Sequence, residues 1–296
     1  MKVVRFSENN LPINQEPISI ILGYFDGVHL GHQKLIKYAK KNAHFKTVLM
    51  TFSIPVSSLI EQGKNCQLLT SLDDRFRIVN KYGIDEFYVF EINRDFLKKS
   101  PTDFGYFLKK LNVIEVFCGT DFRYGKNRTG SPEILSKSFD VYPVDLLFEN
   151  GEKISAQKIK QDLLNGDIRK ANHLLGHNYL ITGTVVHGLG IGQKIGFPTL
   201  NIRLSDDYVI PRYGVYQTIA YINGIPTRSI SNVGVNPTID DSNRISIEVH
   251  LEHYQKDLDP ETIQLEFIDF IRPEQKFDSV EELAAQIALD TKKVFK

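Results

Sequence analysis

The segment from residue 18 to residue 41 constrains the fold of this chain more than any other. An apolar run at 18–22 (ISIIL) precedes a turn with several glycines and then a helical pattern at 32–41. His29 and His32 fall where this helix begins, and the free N–H groups of a helix N-terminus favour a phosphate. Gly31 has no side chain, so the backbone there can approach a ligand closely. The segment predicts a strand, a turn and a helix that together form an anion site.

Two other interpretations fit the spacing of the histidine pair alone. One is an ordinary polar helix cap, and the other is a zinc site. Zinc needs three or four ligands, and no further His or Cys lies nearby at ligand spacing. Because Phe25, Asp26 and Gly27 precede the histidines and a predicted strand precedes the turn, we favour phosphate binding.

Charge and composition limit the partners of the chain. Its 296 residues include 36 Lys and Arg against 36 Asp and Glu. This balance gives no general attraction to nucleic acid or membrane, so any anion site must be local. The sequence has no signal pattern or apolar run of membrane-spanning length, and Cys66 and Cys118 match no metal spacing. We expect a cytoplasmic protein with reduced cysteines and no nucleic-acid or membrane partner, and the sequence leaves its oligomeric state open.

The first part of the chain alternates strand and helix patterns, which predicts a parallel sheet covered by helices. The predicted strands are 18–22, 46–52, 86–90, 115–118 and 139–145, and the predicted helices are 32–41, 73–82, 101–111 and 132–138. A helical pair at 155–164 and 168–175 follows. We place the domain boundary near residue 178, which gives domains 1–178 and 179–296.

The second part is rich in Ile, Val, Thr and Tyr, with turn residues between short runs. The predicted strands are 180–187, 215–222, 228–233, 245–250 and 263–270. Asn223-Gly224 between two of them is typical of a hairpin, so we expect an antiparallel barrel or sandwich. A capping-box pattern at 279–282 (SVEE) predicts a terminal helix, with Leu283 and Ile287 in its buried stripe.

A second candidate phosphate site lies at 188–201, which contains four glycines in nine residues. The segment has neither the pattern of a Rossmann fingerprint nor that of a P-loop. Thr199 and Asn201 alternate along a predicted strand and share one face, and their oxygens suit Mg²⁺ that already carries phosphate. Taken alone, the segment fits a glycine-rich β-turn before a strand equally well.

Several strings together resemble one family. The segment 23–33 (GYFDGVHLGHQ) is similar to the nucleotide-binding signature of the nucleotidyltransferase superfamily. The strings at 196–201 (GFPTLN), 211–216 (PRYGVY), 231–238 (SNVGVNPT) and 247–250 (IEVH) resemble riboflavin kinases. The whole chain therefore resembles the bacterial bifunctional riboflavin kinase/FMN adenylyltransferases, or FAD synthetases. This implies a Rossmann-like nucleotidyltransferase domain and a C-terminal riboflavin kinase-like β-barrel with a terminal helix.

The resemblance also implies an activity. Such an enzyme uses ATP and Mg²⁺ to phosphorylate riboflavin to FMN, then adenylylates FMN to FAD and releases pyrophosphate. It implies that Glu248 is the general base of the kinase, and that His29 and His32 are donors for adenylyl transfer. From the residues alone, Ile247 and Val249 beside Glu248 are also consistent with a carboxylate on a solvated strand face.

Further binding residues are implied by the same resemblance. For the adenylyltransferase they are Gly23, Phe25, Asp26, Gly31, Asp121, Ser155 and Lys160. For the kinase they are Gly190, Lys194, Gly196, Pro198 and Arg272, with Thr199 and Asn201 as metal ligands. A surface charge cluster is the alternative interpretation for Arg272, and a plain turn is the alternative for Asp121.

The adenylyltransferase half departs from the family pattern. The third motif usually reads Ile-Ser-Ser-Thr followed by Ile-Arg, whereas residues 154–160 are ISAQKIK. Ala156 and Gln157 replace hydroxyl residues, and Lys160 cannot reproduce the paired donors of an arginine. Residues 53–56 (SIPV) replace the usual Asp-Pro-His-Pro, and Gln193 replaces an arginine of the kinase loop. Two alternatives therefore stay open: a riboflavin kinase with a weak or lost adenylyltransferase half, and a flavin-binding regulator without turnover.

Overall fold

A computed structural model describes residues 1–60, 66–186, 192, 196–236, 244–253 and 260–295. The chain forms two compact units, the first of Met1–Cys66 and Thr70–Ser155, the second of Gln67–Leu69 and Ala156–Lys296. The units divide after Ser155, not near residue 178, because the helical pair packs with the second unit. In that pair, the Asn172 amide donates to the Phe267 carbonyl over 2.8 Å.

The first unit is built on a parallel sheet, as the sequence predicts, but the sheet has six strands where the sequence predicts five. Its strands are β1 (Lys2–Phe6), β2 (Ile18–Leu22), β3 (Lys46–Phe52), β4 (Glu86–Phe90), β5 (Val113–Gly119) and β6 (Asp140–Val144). They are ordered β1-β4-β3-β2-β5-β6. Every residue of β2 is buried, which is why this strand reads as a continuous apolar run rather than an alternating one.

Helices and a small hairpin complete the first unit. They are α1 (Leu30–Asn42), α2 (Val56–Ile60), α3 (Leu72–Asn80), α4 (Arg94–Leu97), α5 (Pro101–Lys110) and α6 (Pro132–Leu135), and the hairpin pairs β7 (Phe148–Glu149) with β8 (Glu152–Lys153). Ile20 and Ile21 belong to two different apolar clusters, because successive side chains of a strand point to opposite faces. Ser100 and Asp103 form the capping box that starts α5.

The second unit is a closed antiparallel barrel with three helices among its described residues. Its elements are α7 (Ala156–Asn165), α8 (Ile168–Leu175), β9 (Tyr179–Val186), β10 (Leu200–Leu204), β11 (Gly214–Ile222), β12 (Ile225–Asn236), β13 (Arg244–Leu251), β14 (Thr262–Pro273) and α9 (Val280–Val294). The barrel order is β10-β13-β12-β11-β14-β9. Asn223 and Gly224 have φ of 51° and 81°, the positive values that a tight two-residue hairpin between β11 and β12 requires.

The terminal helix begins as predicted, where the Ser279 hydroxyl accepts a hydrogen bond from the Glu282 N–H at 3.2 Å. Its last turn packs on the barrel through Val294, which clusters with Val215 and Ile230. Leu283 and Ile287 are only half-buried and line a cavity, so the prediction of a buried stripe was wrong for them. In the described part of the chain, no helix is both long and apolar enough to cross a membrane.

Candidate active sites

The first unit has a cavity of about 170 Å³ near the C-terminal ends of β2 and β5 and the start of α1. Parallel strands deliver loop residues to this edge of a sheet, which is where ligands of such folds bind. Seven residues predicted from the sequence line it: Gly23, Phe25, His29, Gly31, His32, Asp121 and Ser155. The structure thus brings most of the predicted adenylyltransferase site together.

His29 and His32 form a stacked pair at the start of α1. Their ring centroids are 3.7 Å apart and their planes differ by 18°. The backbone N–H of His32 donates to Nδ1 of His29 at 3.4 Å, so Nδ1 of His29 carries no proton. When the His29 ring is neutral, its proton is therefore on Nε2. Burial lowers the pKa of His29 to about 4. The pKa of His32 is also well below its usual value, first through burial and then through His29, Arg75 and Lys153.

Both histidines are therefore neutral near pH 7. Nδ1 of His32 is buried and has no hydrogen-bond partner among the described residues. A buried polar atom without a partner is costly, and a ligand that bonds to it would remove that cost. A Cβ on Gly31 would lie 3.2 Å from the His29 ring, so glycine at this position leaves the stack undisturbed.

The loop before the histidines has an unusual backbone. Phe25, Gly27 and Val28 have φ of 57°, 74° and 40°, and positive φ is strained for phenylalanine and most of all for a β-branched valine. Hydrogen bonds to Thr70 hold the loop: Gly27 N–H donates to Thr70 Oγ1 at 2.9 Å, and Thr70 N–H donates to Asp26 Oδ1 at 3.1 Å.

Asp26 is thus directed toward Thr70, and it is not among the described residues that line the cavity. A contact between Asp26 and a ligand therefore stays a prediction from the sequence. A carboxylate that faces the protein can accept N–H bonds from a neighbouring segment, and here it fixes the loop that carries the histidines.

Arg75 is a buried cation beneath the same loop. Its Nη1 donates to the Tyr24 carbonyl and to Thr51 Oγ1, both at 2.9 Å, and its Nη2 lies 3.9 Å from Asp26 Oδ1. The guanidinium thereby joins the end of β3 to the loop. No pattern in the sequence identifies this residue, because a basic residue in an amphipathic helix usually indicates a solvated face.

Two more polar groups lie at the edge of the first cavity. Asp121 forms an ion pair with Lys153 of β8, and a Cβ on Gly119 would come within 2.8 Å of Asp121 Oδ1. Lys153 was not predicted, although it directly precedes the motif at 154–160. Lys160 belongs to the second unit, where its Nζ donates to the Gln67 carbonyl at 2.5 Å.

The second unit has a cavity of about 290 Å³ beside the barrel. Of the predicted residues, Thr199, Glu248 and Arg272 line it. Gly190 and Lys194 lie outside the described residues. Gly196 and Pro198 are described but are not among the described lining residues; Gly196 has φ of 84°, and the Pro198 carbonyl accepts a hydrogen bond from His250 Nδ1 at 2.9 Å.

One row of directly opposed residues crosses five neighbouring strands of the barrel. In order it contains Asn201, Glu248, Asn232, Val215 and Arg272. Directly opposed residues of antiparallel strands share a face, so these side chains project to the same side. Four of the five line the cavity, and only Asn201 is outside the set of described lining residues.

Glu248 lies in the middle of the polar part of this row. Its neighbours Ile247 and Val249 are fully buried, so Glu248 points away from the barrel interior, as the sequence pattern suggested, but into a cavity. Burial raises the pKa of Glu248. Thr199 and Asn201 supply neutral oxygens nearby, and the described residues contain no group of three or more His, Cys, Asp or Glu that could hold a metal.

Arg272 is anchored to the terminal helix. Its Nε and Nη2 donate to Asp290 Oδ2 at 2.9 and 2.8 Å, and Gln286 donates to the other oxygen of the same carboxylate at 3.1 Å. Arg272 therefore lines the cavity while its charge is matched by Asp290. This contact fixes α9 against the strand row.

Two family profiles match the chain, one for each part. The riboflavin kinase profile covers residues 175–296 and the FAD synthetase profile covers residues 11–158. Bifunctional riboflavin kinase/FMN adenylyltransferases of Listeria monocytogenes, Bacillus subtilis and Escherichia coli K12 are 38%, 36% and 33% identical to it. The matches cover 91%, 98% and 98% of this chain and 88%, 96% and 96% of those proteins. The chain belongs to the bifunctional riboflavin kinase/FMN adenylyltransferase family.

A solved structure also matches this chain over its whole length. It is a Streptococcus pneumoniae protein described as a macrolide-efflux protein, with 28% identity and a TM-score of 0.92. The match covers 100% of this chain and 99% of that one. It supports the two-part fold, and the described efflux function belongs to that protein.

Proposed function

We propose that this chain is a two-site enzyme of FMN and FAD biosynthesis. Its second unit phosphorylates riboflavin to FMN, and its first unit adenylylates FMN to FAD with release of pyrophosphate. The observation that carries the proposal is that each unit has its own cavity with polar groups suited to one reaction. Glu248 lies in one, and the stacked His29 and His32 lie in the other.

In the kinase, Glu248 accepts the proton of the riboflavin 5′-hydroxyl as this oxygen attacks the γ-phosphate of ATP. Phosphoryl transfer needs positioning, charge neutralisation and a proton acceptor. Because burial raises the pKa of Glu248, its carboxylate is a stronger base than an exposed one. Its neighbours in the row, Asn201 and Asn232, are uncharged, so neither offsets this effect with a positive charge.

Thr199 and Asn201 are our candidates for holding the Mg²⁺ that accompanies ATP. A hydroxyl and an amide oxygen are hard donors, which this ion prefers. When bound, the ion neutralises charge on the phosphate that is transferred. Asn201 is directly opposed to Glu248, which supports a site where phosphate and proton acceptor meet.

The apolar wall of the same cavity suits a flavin ring. The side chains that form it are Val215, Ile230, Phe277, Leu283 and Ile287. A planar aromatic ring system buries its faces well against such side chains, and a few polar groups then set its orientation. We place the ring toward α9 and the 5′-hydroxyl toward Glu248.

In the adenylyltransferase, the phosphate of FMN attacks the α-phosphate of ATP. This phosphate is already a nucleophile at neutral pH, so alignment and hydrogen-bond donors can supply the catalysis. His29 and His32 are neutral near pH 7, because burial lowers both pKa values. Each neutral ring has one N–H that can donate to a phosphate oxygen.

A second candidate function is a riboflavin kinase whose adenylyltransferase half is weak. The observation in its favour is that Lys160, at the position of the family arginine, donates to the Gln67 carbonyl, and that Ala156 and Gln157 replace hydroxyl residues. We therefore expect FAD to form more slowly than FMN. A flavin-binding regulator would have little need for Glu248, Thr199 and Asn201 together.

Purified full-length protein incubated with riboflavin, ATP and Mg²⁺ tests the proposal, with flavins separated by chromatography over time. FMN that accumulates and then converts to FAD supports the two-site enzyme. FMN alone supports the kinase, and unchanged riboflavin contradicts both. FMN supplied directly with ATP measures the first unit independently of the second.

The partners of the enzyme are small molecules rather than nucleic acid or a membrane, because its charges balance. We place it in the cytoplasm, where ATP is available and where thiols such as those of Cys66 and Cys118, both free in this structure, stay reduced.

A further inference from the structure

Lys153 is the one lysine or arginine among the described residues that line the first cavity. Its side chain and that of Asp121, with which it pairs, are 41% and 48% exposed. Both side chains are therefore partly in contact with solvent and are not fixed by core packing. A half-exposed pair of this kind contributes little to folding stability, so the lysine can exchange its partner at little cost.

The backbone of the β7–β8 hairpin places Lys153 beside the start of α1. Asn150 and Gly151 have φ of 50° and 81° and form the tight turn of the β7–β8 hairpin, whose last residue is Lys153. The next residue, Ile154, donates its N–H to the Leu147 carbonyl at 2.9 Å. Its own carbonyl lies 3.9 Å from the position that a Cβ of Gly31 would take.

The cavity otherwise offers little positive charge for a nucleotide. A polyphosphate carries several negative charges, whereas His29 and His32 are neutral near pH 7. Asp121 and Asp145, which also line the cavity, add negative charge of their own. In the altered motif at 154–160, Ser155 is the one residue that has a hydroxyl, and it lines the cavity.

We propose that Lys153 binds the polyphosphate of ATP in the first unit, exchanging the Asp121 carboxylate for phosphate oxygens when the nucleotide enters. Ammonium–phosphate hydrogen bonds are charge-assisted and about twice as strong as neutral ones. In this arrangement Asp121 holds the lysine in place before binding and competes with the nucleotide for it. The inference rests on the proposed adenylyltransferase function and names a nucleotide-binding residue for it.

The kinetic test compares FAD formation from FMN at varied ATP in the parent chain, Lys153→Met and Lys153→Arg. We expect the KM for ATP to rise about tenfold in Lys153→Met, the loss of one charge-assisted contact, and to stay close to the parent value in Lys153→Arg. Lys98→Met is the matched control, since it breaks another exposed Lys–Asp pair of the same unit, with Asp95 at 2.8 Å. FMN formation from riboflavin should not change in any of them.

A binding test separates this inference from the proposed function. Calorimetry with inorganic pyrophosphate and the full chain should show weaker binding by Lys153→Met and tighter binding by Asp121→Asn, which releases the lysine. If the parent makes no FAD, the adenylyltransferase proposal fails, while the pyrophosphate titration still decides the role of Lys153. A KM for ATP within twofold of the parent in Lys153→Met, or pyrophosphate binding that Asp121→Asn leaves unchanged or weakens, overturns the inference.

Discussion

Glu248 of β13 is directly opposed to Asn201 of β10, so a titratable carboxylate and a neutral hard oxygen share one face of adjacent strands. Ile247 and Val249 are buried on the other face, which prevents Glu248 from turning inward. Residues on paired strands hold their relative positions more closely than residues on loops. The register of the barrel thus sets the spacing between the proposed proton acceptor and the proposed metal ligand.

Replacing Glu248 by Gln should remove FMN formation without unfolding the barrel. The amide has a similar shape but cannot accept the proton of the attacking hydroxyl, and such acceptors contribute about 10²–10⁴-fold. FMN formation from riboflavin and ATP measures the loss, and ATP binding by calorimetry checks that the site persists. Near-parental FMN formation would exclude Glu248 as the base.

The same substitution should raise stability at neutral pH. The pKa of Glu248 is raised in the folded state by burial, so the folded protein gains stability below the ordinary carboxyl range and loses it as pH rises through the raised pKa. The neutral amide introduced by Glu248→Gln has no charge to bury and so avoids this loss. The difference in thermal midpoint between variant and parent should therefore shrink as pH falls below about 4.3, the usual value for Glu. An equal difference at pH 4 and pH 8 would contradict the burial of the charge.

Thr199→Ala and Asn201→Ala should each raise the Mg²⁺ concentration needed for half-maximal FMN formation. Both remove a hard oxygen from the ion that accompanies ATP. Conversion of FMN to FAD is the internal control. It should not change, because we assign that reaction to the separate cavity of the first unit. If both reactions decline in parallel, the two sites are not separate in the way proposed.

Much of the sheet could be predicted from the sequence, and particular residues show why. The bounds of β2, β3 and β4 match the predicted 18–22, 46–52 and 86–90, because strands buried on both faces have continuous apolar runs. The edge strand β1 was not predicted. In it, Lys2 and Arg5 interrupt the apolar residues, and the four residues before the buried Phe6 are all exposed or partly exposed.

Only the site residues that belong to sequence motifs could be predicted. Leu283 and Ile287 fit a helix stripe, and an apolar stripe has the same period whether it faces a core or a ligand cavity. Arg75 and Lys153 are held at the site by contacts with residues distant in the sequence. Arg75 bonds to Thr51, and Lys153 pairs with Asp121. No local pattern encodes such contacts, so these two residues could be found only in the folded chain.

Arg75→Met should destabilise the first unit by about 3–5 kcal/mol, the usual cost of removing one partner of a buried ion pair. The change takes the cation away from the buried Asp26 and deprives the Tyr24 carbonyl and Thr51 of a donor. FAD formation should then fail at a lower temperature than FMN formation when both are assayed across a thermal ramp. Arg77→Met is the control, because Arg77 is half-exposed and bonds Asp74 at 3.5 Å. Equal effects of the two changes would contradict a supporting role for Arg75.

His32→Ala should lower FAD formation about 10²–10³-fold, the effect of removing one donor aimed at developing charge, and leave FMN formation intact. The change removes the ring that stacks on His29 at 3.7 Å.

His32→Ala should also alter the response of stability to acid. The folded pKa of His32 is lowered by burial, so the unfolded chain binds a proton that the folded chain does not, and the parent loses stability as pH falls below about 6.5. In His32→Ala this loss should be smaller, which thermal unfolding at pH 5 and pH 7.5 measures. Unchanged FAD output together with an unchanged acid response would remove His32 from both the chemistry and the buried pair.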